Sequence, residues 1–139
     1  MKKTSILLMA ILMLGVLVLS ACGGGAEPAE DVVPAEYSNK TDPFVGDASA
    51  VAAGKEIYDV RCTTCHGTTG KGDGPAGQGL TPKPADLSEA VKDSADNFLF
   101  YRISEGGAMD PFNSAMPSFK STLTENEIWQ VISYIKTFK

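Results

Sequence analysis

The sequence predicts a small all-α domain with three main helices joined by long loops, and three observations carry that expectation. Near the C-terminal end, Ile128, Val131, Ile132, Ile135 and Phe138 recur at the i, i+3, i+4, i+7 spacing of a helix buried along one stripe. Between Asp47 and Cys62, the residues Val51, Gly54, Ile57, Tyr58 and Arg61 fall at helical spacings, with Lys55, Glu56 and Asp59 elsewhere on the surface. Between these segments, residues 67–87 are broken by Gly67, Gly70, Gly72, Gly74, Gly77 and Gly79 and by Pro75, Pro82 and Pro84, which marks a loop.

Each element has a start and a stop. Asp47 or Ser49 can cap the first helix, which runs towards Cys62. Gly54 in its middle costs about 1 kcal/mol relative to Ala, so it needs a reason, and close approach of another helix supplies one. Ser94 can cap a middle helix from about residue 95 to 105, with Phe98, Leu99, Arg102 and Ile103 on one side and Gly106-Gly107 as its stop. A short helical turn is expected near residues 88–92. The last helix follows Thr124-x-x-Glu127, a capping box in which side chain and backbone satisfy each other's orphan groups. Trp129 and Tyr134 flank its apolar stripe, and Trp129 reads as helix packing in preference to a contact with a bound group.

The chain has 139 residues, short enough for one domain, and its 43% hydrophobic content is inflated by the first twenty positions. Net charge is −5, which argues against nucleic acid as a partner. The acidity is uneven: residues 22–46 hold five acids and one base, whereas residues 47–139 hold twelve acids and nine bases. Total charge is therefore a poor guide to electrostatic steering by the domain.

The chemistry lies in Cys62-Thr63-Thr64-Cys65-His66. This is C-x-x-C-H, the attachment signature of a c-type haem. Two thiols one helical turn apart can bond the two vinyl groups of one porphyrin, and the next residue, His66, offers a neutral imidazole nitrogen to the iron. A thioredoxin-like dithiol needs a strand before the pair, and the residues before Cys62 read as a helix. A structural zinc site needs four ligands, and the chain has three Cys and one His, with Cys22 accounted for elsewhere.

Gly54-x-x-x-Tyr58-x-x-x-Cys62-x-x-Cys65-His66-Gly67 resembles the amino-terminal segment of class I cytochromes c, and the resemblance covers residues 47–139. It implies a cytochrome c-like fold with one covalently bound haem. It implies that Gly54 packs against an aromatic residue of the last helix, for which Tyr134 is the candidate. It implies that a proline carbonyl in the loop accepts the N–H of His66, with Pro82 and Pro84 both candidates. Two decoys in that loop fail. Gly72-x-Gly74-x-x-Gly77 has the dinucleotide-binding spacing without a preceding strand, and Pro75 stands where a helix should open. Gly70-Lys71 lacks the glycine a phosphate loop needs five residues earlier, where Cys65 stands.

A c-type haem used for electron transfer usually has Met or His opposite the proximal His. With a single His in the chain, and only Met109 and Met116 outside the leader, the second ligand falls to one of these two methionines. Met116-Pro117-x-Phe119 resembles the family's distal-ligand loop, between the middle and last helices. Met109 follows Gly106-Gly107 too closely to reach over the ring with ease. The alternative for both is gap-filling core methionine.

The first residues read as a leader. Lys2 and Lys3 form a basic start, residues 6–19 are an uncharged apolar run, and Leu19-Ser20-Ala21-Cys22 resembles a bacterial lipoprotein signal whose Cys receives the lipid. The run is shorter than the ~20 residues of a membrane-spanning helix. The expected layout is a signal peptide at 1–21, a lipid-anchored flexible acidic linker at 22–46 and a haem domain at 47–139. In the linker, Tyr37, Phe44 and Val45 are apolar exceptions; either they are strays in a free tether, or residues 42–45 dock onto the domain or onto a partner, and the free tether is the simpler reading. The function expected is a membrane-tethered mono-haem carrier on the extracytoplasmic side of a bacterial membrane, passing single electrons between redox protein partners of respiratory or photosynthetic complexes. Two alternatives stand beside it. One is a fixed subunit of a quinol-oxidising or oxidase complex, whose layout resembles mono-haem lipoprotein subunits of alternative complex III. The other is an open-site haem enzyme or gas sensor.

Overall fold

A computed structural model describes residues 33–138. Its helices are α1 (Ala48–Arg61), α2 (Thr63–His66), α3 (Leu87–Asp93), α4 (Asp96–Glu105) and α5 (Glu125–Ile135), with a 3₁₀ turn at Ala35–Tyr37 and no strand among the described residues. The leader, Cys22 and the first part of the linker lie outside them. No described helix is long and apolar enough to cross a membrane.

The three expected helices are α1, α4 and α5, and the expected short turn is α3. The Asp47 carboxylate caps α1, accepting from the amides of Ser49 and Ala50. The capping box at α5 is formed: the Glu127 carboxylate accepts the Thr124 amide at 2.7 Å, and the Thr124 hydroxyl accepts the Glu127 amide. The start of α4 differs from expectation. Its N-cap is Ala95, with no side-chain bond, because α3 runs up to Asp93 and Ser94 is spent as that helix's C-cap.

α1 and α5 make the most extensive contact between elements. A Cβ on Gly54 would collide with the carbonyl oxygen of Gln130 on α5, so the helices cross backbone to backbone. The partner of Gly54 is thus the Gln130–Val131 backbone and not the Tyr134 ring. Tyr134 packs edge-on against Tyr58 instead, 5.3 Å between centroids. Around this crossing, Tyr58, Leu99, Phe100, Ile103, Ile128, Trp129, Val131, Ile132 and Ile135 form the buried core. Trp129 is buried with its ring 4.6 Å from that of Phe100, which is helix packing as expected.

The described part of the linker is not a free tether. Residues 34–45 form a strap across the backs of α4 and α5. The Tyr37 ring lies 6.1 Å from Phe100 and 5.2 Å from Tyr101, and its hydroxyl donates to Glu105. Lys40 pairs with Glu125 at 2.6 Å, and Asp42 pairs with Lys136 at 3.2 Å. Phe44 packs against the core. The folded unit therefore includes at least a dozen residues before Asp47. The apolar exceptions Tyr37 and Phe44 dock, because ring burial and cross-chain ion pairs together offset the entropy of ordering. Val45 remains exposed.

Candidate haem site

α1 and α2 meet at Cys62, which ends one helix and caps the next. This places Cys62, Cys65 and His66 along one wall of a cavity of about 390 Å³. The loop after His66 folds back on α2: Gly72 N–H donates to the His66 carbonyl and Ala76 N–H to the Thr64 carbonyl, both at 2.9 Å. Added Cβ atoms at Gly74 and Gly77 would strike the backbone of Thr63, Thr64 and Cys65, so these glycines are required by close approach. The buried Tyr58 hydroxyl donates to the Gly67 carbonyl at 2.8 Å, tying α1 to the end of the C-x-x-C-H turn. Lys71, in the rejected phosphate-loop match, pairs with Asp86 at 3.2 Å.

Leu80, Pro82, Pro84 and Ala85 of the following loop, Leu99 and Ile103 of α4, Val131 and Ile135 of α5, and Phe98, Phe112, Met116 and Pro117 also line the cavity. His66 Nδ1 lies 3.4 Å from the carbonyl oxygen of Ala85. Neither Pro82 nor Pro84 takes that bond: both line the cavity, while the Pro84 carbonyl is turned against Gly72. Burial pushes the His66 imidazole below its ordinary value and so favours the neutral ring; the Ala85 carbonyl pulls the other way. Burial, then the neighbouring Cys65, pushes the Cys62 thiol up to about 11. A redox dithiol needs the opposite shift. Met109 does not line the cavity; Met116 does.

Arg102 also lines the cavity, and sequence reasoning gave it no role. Its guanidinium lies 3.5 Å from the centroid of the Phe112 ring and donates to the Gly106 carbonyl at 2.6 Å. Among the described residues it has no carboxylate within ion-pair distance. A half-buried cation beside an apolar cavity calls for an anion. The only signal in the sequence was an arginine on the apolar side of α4.

The residues fit a haem c. They supply two thiols and an imidazole within one turn of chain, a thioether in the same cavity, an apolar lining and a cation suited to a carboxylate of the porphyrin.

The family model for cytochrome c matches residues 51–139. Cytochrome c-554(547) of Halothiobacillus neapolitanus is 35% identical over 101 residues, covering 68% of this chain and 99% of that protein. The quinohemoprotein alcohol dehydrogenase ADH IIB of Pseudomonas putida is 29% identical over 119 residues, 86% of this chain; the match spans only 16% of that enzyme. Among solved structures, a reducing HAO-like protein complex of Kuenenia stuttgartiensis matches with a TM-score of 0.52 and 28% identity, over 65% of this chain and 44% of that one. With C-x-x-C-H set in the wall of an apolar cavity inside an all-helical fold, the chain belongs to the cytochrome c family, electron carriers that hold haem c covalently.

Proposed function

We propose that the chain is a mono-haem electron carrier tethered to the extracytoplasmic face of a bacterial membrane through Cys22. Cys62 and Cys65 would carry the thioether bonds, and His66 and Met116 would ligate the iron. The observation that carries the site reading is that one cavity is lined by all four residues. When bound, haem c supplies a one-electron ferric–ferrous couple. The protein's part is to keep both ligands in position, so that little reorganises, and to tune the couple. A thioether ligand raises the potential. Apolar walls exclude water and favour the less charged state. Arg102, stacked on Phe112, holds a propionate and adds positive charge that also favours the ferrous form. The leader's lipoprotein-like end supports the tether.

The test is optical spectroscopy of the ferric protein. Met116→Ala abolishes the sulfur–iron charge-transfer band and Met109→Ala leaves it. The reverse pattern would make Met109 the ligand.

A second reading keeps the cofactor and makes the chain a fixed subunit of a larger redox complex, such as a quinol-oxidising one. The likeness to a chain of a Kuenenia complex favours it. Comigration with large membrane subunits on blue-native gels supports the fixed subunit, and migration alone supports the carrier. No dehydrogenase chemistry is proposed. An open-site haem, binding carbon monoxide without displacing a ligand, is disfavoured by Met116 in the cavity wall.

A further inference from the structure

We infer that Tyr37 and Glu105 are positioning residues for the Met116 loop, so that the N-terminal strap latches the distal side of the site from behind. The inference rests on Met116 being the second ligand.

The segment 116–120 packs Met116 and Phe119 against the core, and its backbone is hung from the end of α4. Gly107 N–H donates to the Met116 carbonyl at 2.9 Å. The Ser118 hydroxyl donates to the Ser104 carbonyl at 2.6 Å, and the amides of Phe119 and Lys120 both reach that same carbonyl at 3.1 Å. Two residues after Ser118, Lys120 Nζ reaches both Glu105 carboxylate oxygens, at 2.9 and 2.8 Å. Glu105 therefore clamps the far end of the loop to α4. Its other contact is the Tyr37 hydroxyl, which donates to it from the strap. One carboxylate thus joins the strap to the loop.

The geometry of α4 explains why this acts on the site without touching it. Phe98, Arg102 and Ile103 face the cavity. Phe100 and Tyr101, on the opposite side of the helix, meet the Tyr37 ring. No described residue of the strap lines the cavity. Glu105 is only partly exposed, 21% for its side chain, so removing Tyr37's donor leaves a half-desolvated carboxylate held by an exposed lysine alone.

The consequence is a shift in how often the loop opens. An external ligand binds ferric iron only when Met116 is away, so its apparent affinity scales with the open fraction. Imidazole titration of the ferric holoprotein reads that fraction. Tyr37→Phe, Glu105→Gln and Lys120→Gln should each raise apparent imidazole affinity roughly three- to tenfold, the range one ordinary net hydrogen bond allows. Lys120→Arg, which keeps the ion pair, should stay at the wild-type value. Ile132→Val, in the α1–α5 core, lowers overall stability and should also leave imidazole affinity unchanged. The inference is overturned if Tyr37→Phe and Glu105→Gln bind imidazole like wild type, or if Ile132→Val raises affinity as much as they do. If the wild-type ferric protein lacks the sulfur–iron band, Met116 ligation fails and takes this inference with it. The band present and Tyr37→Phe unchanged overturns the latch alone.

Discussion

The two walls of the cavity are held by different kinds of bond. On the C-x-x-C-H side, the chain turns from α1 into α2 without a break, and the following loop packs backbone on backbone, with Gly74 and Gly77 leaving no space for a side chain. On the Met116 side, backbone meets backbone at one point, Gly106, where an added Cβ would strike Met116 and Pro117; beyond it the loop hangs from the end of α4 by a few hydrogen bonds and the Lys120–Glu105 ion pair. Close-packed backbone has almost no give, whereas terminal carbonyls and surface carboxylates tolerate adjustment. The C-x-x-C-H side is therefore fixed along its whole loop, whereas the Met116 side is fixed at Gly106 and can be tuned beyond it.

The sharpest way to break that contrast is to put a side chain into each wall. Gly74→Ala drives a Cβ into the carbonyls of Thr63 and Thr64, and should cost about 2–4 kcal/mol in denaturant unfolding of the holoprotein. Gly79→Ala, in the same loop with open space around the added atom, should stay within about 0.5 kcal/mol of wild type. On the Met116 side, Ser118→Ala removes one hydroxyl bond and should cost about 1 kcal/mol. Equal losses for Gly74→Ala and Ser118→Ala would erase the distinction.

The walls also differed in how far they could be read from sequence. The first is local: Cys62, Cys65 and His66 lie within one turn, and their spacing states their geometry. The capping box at Thr124 and the stripe of α5 are local in the same sense. Met116 stood out because Met-Pro lies in one loop and only two candidate methionines existed, and of the two it is the one in the cavity lining. What could not be read depends on contacts distant in sequence. The carbonyl facing His66 belongs to Ala85, a backbone atom whose direction no residue type encodes. Arg102 takes its meaning from Phe112 and the cavity beyond. The strap needed Glu105, Glu125 and Lys136 as partners, each more than sixty positions away, so Tyr37 and Asp42 looked like linker residues.

Arg102 gives a smaller test on the tunable side. Arg102→Gln keeps a hydrogen-bond donor but removes the charge. A unit charge roughly a nanometre from the iron, at an effective dielectric near 20, is worth on the order of 1 kcal/mol. For a one-electron couple that is about 50 mV. The midpoint potential should therefore fall by about that amount in potentiometric titration, because the ferric state loses a repulsive neighbour. Gly79→Ala should not move it. A potential unchanged in Arg102→Gln would remove the arginine from the tuning of the site.

Acid should produce the smallest effect and separate the two sides once more. Lys120, then Tyr37, holds the Glu105 carboxyl below its usual range. Ser49, Ser88 and the Thr124 amide do the same for Asp47, Asp86 and Glu127, at the starts of α1, α3 and α5. A carboxyl lowered in the folded chain binds its proton more tightly once unfolded, so its stabilisation is complete above the unfolded value, about pH 4–4.5. It is lost as pH falls through the lower folded values. Melting of the holoprotein, followed by circular dichroism, should therefore drop by a few degrees from about pH 4.5 to 3. Glu105→Gln should start lower at pH 7 and fall less over that range, since one of the four groups no longer titrates. If it falls as steeply as wild type, the Glu105 contacts add nothing to the folded chain, and the Met116 side is held by the backbone bonds of α4 alone.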